Sequence, residues 1–232
     1  MNSDMFGFFQ AENTHIETEL KKYLTQLIAE MFQVAHVFSA QSPILLQNAI
    51  QETTSMEFST AGENAFRGIY SPSLICPYIV TNYRKGRILK SNAMSGTFFS
   101  YCFDNNHRLI KIDFYSKNRL QTTEYIIRNI PDIEYGLIYD QHSFLIVANR
   151  ARYDENGRIV EFFESKMPLI NGGNLFDYEK YYYDDKGSLE GADKVLNGIY
   201  PTCFRYCRYA VAKKDRKTML LPVSNLLVTF EK

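Results

Sequence analysis

From Ile16 onward the apolar residues recur at helical spacing. Ile16, Leu20, Leu24, Leu27, Met31, Val34 or Ala35, and Phe38 fall on one stripe, with Glu17, Glu19, Lys21, Lys22 and Gln26 largely off it. This period predicts an amphipathic helix over 14–38, opened by a capping box in which Thr14 and Glu17 satisfy free backbone N–H groups. A second helix is expected from Ser42, an N-capping residue followed by Pro43, to about Glu52.

From about residue 66 the period changes to two and turn residues punctuate the chain, which predicts antiparallel hairpins. In LIKIDFY (109–115), Ile110, Ile112 and Phe114 share one side and Lys111 and Asp113 the other, so this strand is expected to have one wet face. NLLVTFEK reads as a last strand, grouping Leu226, Val228 and Phe230. KMPLINGGNL (166–175) and the weakly periodic 191–202 read as loops.

One pattern recurs: NYRKGRIL at 82, CFDNNHRLI at 102, FYSKNRLQ at 114, IYDQHSFLI at 138, RYDENGRIV at 152 and YYDDKGSLE at 182. Each is an aromatic, a polar turn and a return to aliphatic residues. In the fifth, Asp154 can accept from a backbone N–H two residues on, and Gly157 can supply the positive φ that closes a hairpin. Beyond the turn, alternation puts Val160 and Phe162 on one face and Ile159, Glu161 and Phe163 on the other. The copies are too unevenly spaced for a solenoid of equal units. The expectation is an α+β fold in a single domain over 1–232: N-terminal helices within 12–57, packed on a large, mainly antiparallel sheet of successive hairpins over 66–232.

RYDENGRI (152–159) resembles the tyrosine-aspartate repeat of Rhs and related bacterial polymorphic toxins, in which Tyr-Asp, two turn residues, Gly-Arg and an aliphatic residue recur. YYDDKGSL carries Ser188 in place of the arginine, and CFDNNHRL carries His107 in place of the glycine. The resemblance implies hairpins and an association with toxin systems, and it brings no catalytic residue.

Charge narrows the partner class: 26 Lys and Arg balance 26 Asp and Glu, so no global field points to nucleic acid or a membrane surface. No basic leader followed by an apolar run and no stretch of 18 apolar residues occurs, which reads as a cytoplasmic protein. Cys76, Cys102, Cys203 and Cys207 form no CxxC pair and are expected as reduced thiols, with no metal and no cofactor implied. GxSxG, HExxH, P-loop and GxGxxG motifs are absent from the sequence, and His107 and His142 fall in turns. Dispersed carboxylate pairs, which leave no local signature, keep an enzyme among the alternatives.

Two stretches stand above this background. FDYEKYYYDDKGSLEGAD (176–193) sets carboxylates among tyrosines, a combination suited to a protein interface, and Asp177, Glu179, Tyr181, Tyr183, Asp184, Asp185 and Glu190 are the candidate partner-binding residues. The competing reading is a solvated hairpin with alternate tyrosines in the core. RYCRYAVAKKDRK (205–217) interleaves basic residues with Tyr206 and Tyr209, as in a track for single-stranded nucleic acid, but reads equally as a charged turn. The leading expectation is a non-enzymatic protein-binding module, most specifically an immunity protein neutralising a toxin domain with a basic surface. An enzyme or small-molecule-binding domain with a Tyr/Phe-lined site on the sheet is the alternative, and a nucleic-acid binder through 205–217 the third.

Overall fold

In the computed structural model, residues 4–62, 67–75, 86–90, 95–166, 176–200, 203–214 and 217–229 are described. Two helices, α1 (Asp4–Phe38) and α2 (Ser42–Glu52), precede eleven strands: β1 (Ser55–Thr60), β2 (Phe98–Phe103), β3 (Leu109–Ser116), β4 (Arg119–Ile130), β5 (Ile133–Asp140), β6 (Leu145–Tyr153), β7 (Ile159–Lys166), β8 (Phe176–Tyr183), β9 (Leu189–Tyr200), β10 (Cys203–Lys214) and β11 (Lys217–Thr229). The strands form one antiparallel sheet in chain order. Residues 86–90 cover the outer edge of β1, where Thr60 N–H donates to Arg87 O and Leu89 N–H to Phe58 O.

The helical stripe does what its period requires. Leu24, Leu27 and Met31 are buried against Tyr125, Leu137, Tyr139, Ala148, Phe163 and Tyr178 of the sheet, with Leu20, Val34 and Phe38 at the margin. Each fully buried side chain of this kind contributes about 1.5–3 kcal/mol. Polar bonds then fix the helix on the strands. Tyr23 donates to Glu161. Glu30 accepts from Tyr135 Oη at 2.6 Å and Arg150 Nε at 2.9 Å, and Phe38 O accepts from Tyr139 Oη at 2.6 Å.

Several boundaries differ from the sequence expectation. Helix α1 starts at Asp4, so Thr14 lies inside it and does not cap it; Gln10, Ala11 and Glu12 are good helix formers, and Gly7 alone costs about 1 kcal/mol without ending a helix. Gln41 occupies the N-cap of α2 with no side-chain cap, while Ser42 is the first helical residue and is buried. The expected loop at 191–202 is strand β9 through Tyr200. Its small residues are held by neighbours on both sides, Gly191 lying too close to Tyr209 O for a Cβ. The expected loop at 166–175 falls outside the described residues from 167 on.

The face of the sheet away from the helices is also covered. Ile69 and Tyr70 pack on Phe99, Tyr101 and Phe103, and Leu74 and Ile75 pack on Phe162, Tyr181 and Ala192. Arg67 is driven beneath this layer. Its Nε donates to Glu124 at 2.8 Å, Nη1 to Glu134 and Nη2 to Asn149 Oδ1 at 2.9 Å. Gly136 makes the space, because a Cβ there would run into Glu124, Asn149 and the guanidinium. Burial works against the Arg67 charge, but Glu124 and Glu134 outweigh it and hold the group firmly protonated. Double coverage also corrects the wet face expected on β3. Asp113 is buried and takes Lys111 Nζ at 2.5 Å and Thr123 Oγ1 at 2.8 Å.

Four hairpin turns are chemically the same. At Asp104, Asp140, Asp154 and Asp184 one carboxylate oxygen accepts from the backbone N–H two and four residues on, at 2.7–3.0 Å. The third residue after each aspartate has positive φ: His107 56°, Ser143 66°, Gly157 72° and Gly187 79°. The aspartate is therefore the constant element, and glycine is optional. Each turn carries a bulge, so that the residue two before the aspartate faces the residue seven after it: Cys102↔Lys111, Ile138↔Val147, Arg152↔Glu161 and Tyr182↔Gly191. The bulge places Ile159 with Phe162 in one cluster, not with Glu161 as strict alternation requires.

Two outcomes are expected in chemical denaturation. Gly136→Ala should lose about 3 kcal/mol, since the added methyl must dislodge a buried ion cluster. Gly157→Ala, whose Cβ meets nothing within 4 Å, should lose only about 1 kcal/mol, and Asp154→Ala should lose more than that.

Candidate functional site

Glu19, Leu20 and Tyr23 of α1 face strands β6 to β10 across an open cleft of about 500 Å³. Its floor is a rung of five residues in register across five strands, Arg152↔Glu161↔Lys180↔Asp193↔Arg208, alternating in charge and positive at both ends. Strand alternation places Tyr178 and Tyr182 two residues either side of Lys180, and Tyr206 two before Arg208, on the same face. Tyr178 and Tyr206 are themselves buried, and all three rings line the cleft.

The two carboxylates are engaged from within. Glu161 takes Tyr23 Oη, Arg152 Nη2 at 2.7 Å and Arg150 Nη1 at 3.4 Å. Asp193 takes Tyr182 Oη at 2.6 Å and the Arg208 guanidinium at 2.9 and 3.3 Å. Lys180 Nζ lies 5.4 Å from the centre of the Tyr182 ring, and the Arg208 guanidinium 5.9 Å from that of Tyr206, both in reach of cation–π attraction. Burial and the Glu161 contact push the Tyr23 hydroxyl up to about 12, and burial and Asp193 push Tyr206 up to about 12. Burial, reinforced by neighbouring acids, raises Tyr178 and Tyr182 as well. At neutral pH the cleft therefore presents phenols as fixed hydrogen-bonding groups, a long way from the pKa near 7 that suits proton transfer.

The candidate partner-binding residues fall into two places. Glu179 and Tyr181 are buried on the opposite face, where Glu179 binds Ser73 Oγ at 2.8 Å, Lys194 Nζ at 3.0 Å and Tyr181, and Tyr181 Oη accepts from Leu74 N at 3.0 Å. Asp177 and Tyr183 are half-buried, the latter donating to Ile159 O at 2.7 Å under the Arg158 guanidinium. Asp184, Asp185 and Glu190 are exposed at the hairpin tip, with Asp184 engaged in holding the turn. In the basic stretch, Arg208 belongs to the cleft, while Arg216 and the side chains of Arg205, Lys213, Lys214 and Lys217 lie outside the described residues. Sequence reasoning singled out Tyr178, Tyr182, Asp193, Tyr206 and Arg208 only as members of their stretches, and missed Tyr23, Arg152 and Glu161. The shared turn register was the signal that pairs Arg152 with Glu161.

Cys102 is a buried free thiol, Cys207 is buried, and Cys76 and the Cys203 side chain lie outside the described residues. Among the described residues no group of three or more His, Cys, Asp and Glu is arranged to hold a metal ion, and no helix is long and apolar enough to cross a membrane. No protein-family model matches the chain, and no curated protein matches it in sequence.

On the face opposite the cleft, Glu164 is buried beside its cross-strand neighbour Asp177. Burial, then Asp177 and Glu124, push its carboxyl from the ordinary 4.5 up to about 7, against the pull of Lys166. The folded state thus holds this proton more tightly than the unfolded chain. The resulting stabilisation is complete below about pH 4.5 and lost as pH rises to about 7, with an upper bound of ~3 kcal/mol. Glu164→Gln should flatten that part of the stability–pH curve and be more stable than the wild type above pH 7, as read by denaturant melts across the range.

Proposed function

We propose that the chain is a binding domain that recognises another protein through the tyrosine-lined cleft, in its most specific form an immunity-type protein that neutralises a toxin. The observation that carries this reading is the charge rung. Its anions are engaged by protein donors and its tyrosines are held neutral, so the cleft offers preorganised contacts to a partner. Tyrosine supplies large contact area at low entropic cost, which suits a recognition surface. The toxin context rests on the resemblance of residues 152–159. The exposed Asp185 and Glu190 at the nearby hairpin tip support a peripheral contact with a basic surface. A second reading is favoured by the cleft's size, which falls within the ~300–1,000 Å³ of small-molecule sites.

Pull-down of toxins encoded beside the gene, with Tyr182→Ala in parallel, tests the proposal. The wild type should capture and neutralise its partner, and Tyr182→Ala, confirmed as folded by thermal melt, should weaken capture at least tenfold. Capture that ignores Tyr182 would remove the cleft as the interface, and consistent failure of the wild type to bind or protect would count against a toxin partner.

A further inference from the structure

The charges of the rung are sorted by depth. Glu161 and Asp193 have side chains 3% and 9% exposed, whereas those of Arg152 and Arg208 are 40% and 47% exposed, and Lys180 is open to solvent. The anions are therefore sealed under the cations that cover them. Each guanidinium carries five N–H donors. Arg152 directs one of them at Glu161, and Arg208 directs two at Asp193, so donors remain for an incoming acceptor.

Tyr178 adds an independent sign. It lines the cleft, and among the described residues its hydroxyl is neither hydrogen-bonded nor sealed from solvent. An accessible phenol of this kind can donate to an incoming acceptor. Among the described residues the carboxylate open to the cleft is Glu19, at the helix rim, which leaves the strand side as the seat for an anion.

Resting on the binding reading above, we propose that the cleft takes an acidic, extended segment of the partner protein, with carboxylates at every third residue. The spacing follows from the sheet. Arg152, Lys180 and Arg208 sit on alternate strands, and neighbouring strands are about 4.8 Å apart, so successive cations are about 9.6 Å apart along the rung. A polyproline II helix has three residues per turn at about 3.1 Å each, which returns a side chain to the same face every 9.3 Å or so. Residues i, i+3 and i+6 of such a segment meet the three cations in turn. Tyrosine-walled grooves receive the intervening proline rings, the mode by which polyproline segments are generally held. An extended β-segment matches less well, because its third residue points to the opposite face.

Calorimetry of the full chain with short peptides tests the assignment. The heptapeptide EPPEPPE should bind, with affinity falling as salt is raised, and Tyr178→Phe and Lys180→Gln should each weaken it about fivefold. The isomer EEEPPPP should bind more weakly, and KPPKPPK and QPPQPPQ should not bind. Equal binding of EEEPPPP, binding of KPPKPPK, or indifference to both substitutions would overturn the proposal. Glutarate binding as tightly as the peptide would assign the site to a small carboxylate instead, and overturn the peptide. If EPPEPPE fails while Tyr182→Ala still abolishes capture of a partner, the ligand class falls and the binding reading stands. If Tyr182→Ala has no effect on capture, the binding reading falls with it.

Discussion

Where the sheet is covered on both faces a charged side chain has no direct route to water, and much of the molecule's detail follows from that constraint. An unpaired buried charge costs several kcal/mol, and one that has lost its partner costs about 3–5 kcal/mol. The strands accordingly pair their charges: Glu179 with Lys194, Arg152 with Glu161 and Arg208 with Asp193 sideways in register, Arg150 with Glu161 diagonally, and Lys111 with Asp113 along β3. Arg67 is the extreme case, an entire guanidinium enclosed by Glu124, Glu134 and Asn149 over a glycine. Glu164 is an exception, and burial first, then its acidic neighbours Asp177 and Glu124, raise its carboxyl.

The same constraint shapes the cleft. Along the rung from Arg152 to Arg208 the long cationic side chains reach water while the short acidic ones stay below. Acidic residues that look from the sequence like a surface for a basic partner are thereby divided. Glu179 and Asp193 are committed to internal pairs, while Asp185 and Glu190 remain exposed. The accessible character of the cleft is cationic and phenolic.

The helical stripe and the hairpin pattern were legible because each is set by local chemistry. Leu24, Leu27 and Met31 report the helix period, and Asp104, Asp140, Asp154 and Asp184 each fix a turn within five residues. From those turns the pairs Arg152↔Glu161 and Lys180↔Asp193 follow directly, since all four share one register. Two features resisted. Arg67 lies in an irregular segment, and nothing nearby in sequence announces that Glu124, Glu134 and Asn149 will surround it. The alignment of separate hairpins into one five-strand rung depends on the β7–β8 and β9–β10 pairings, whose connecting sequences, MPLINGGNL and PT, contain no aspartate. Strand β9 was obscured for a related reason: Gly191 and Ala192 are small because Tyr209 and the core are close, and small residues weaken the periodic signal.

The cleft's phenols are kept neutral by burial and, at Tyr23 and Tyr182, by the carboxylates they bind. Ring-labelled tyrosine NMR, followed through an alkaline titration of the folded chain, measures this directly. Tyr23 and Tyr206 should remain un-ionised until about pH 12, with Tyr178 and Tyr182 no earlier. A cleft tyrosine that ionises near pH 8, roughly two units below an ordinary phenol, would contradict the account and mark the cleft as a site of proton transfer.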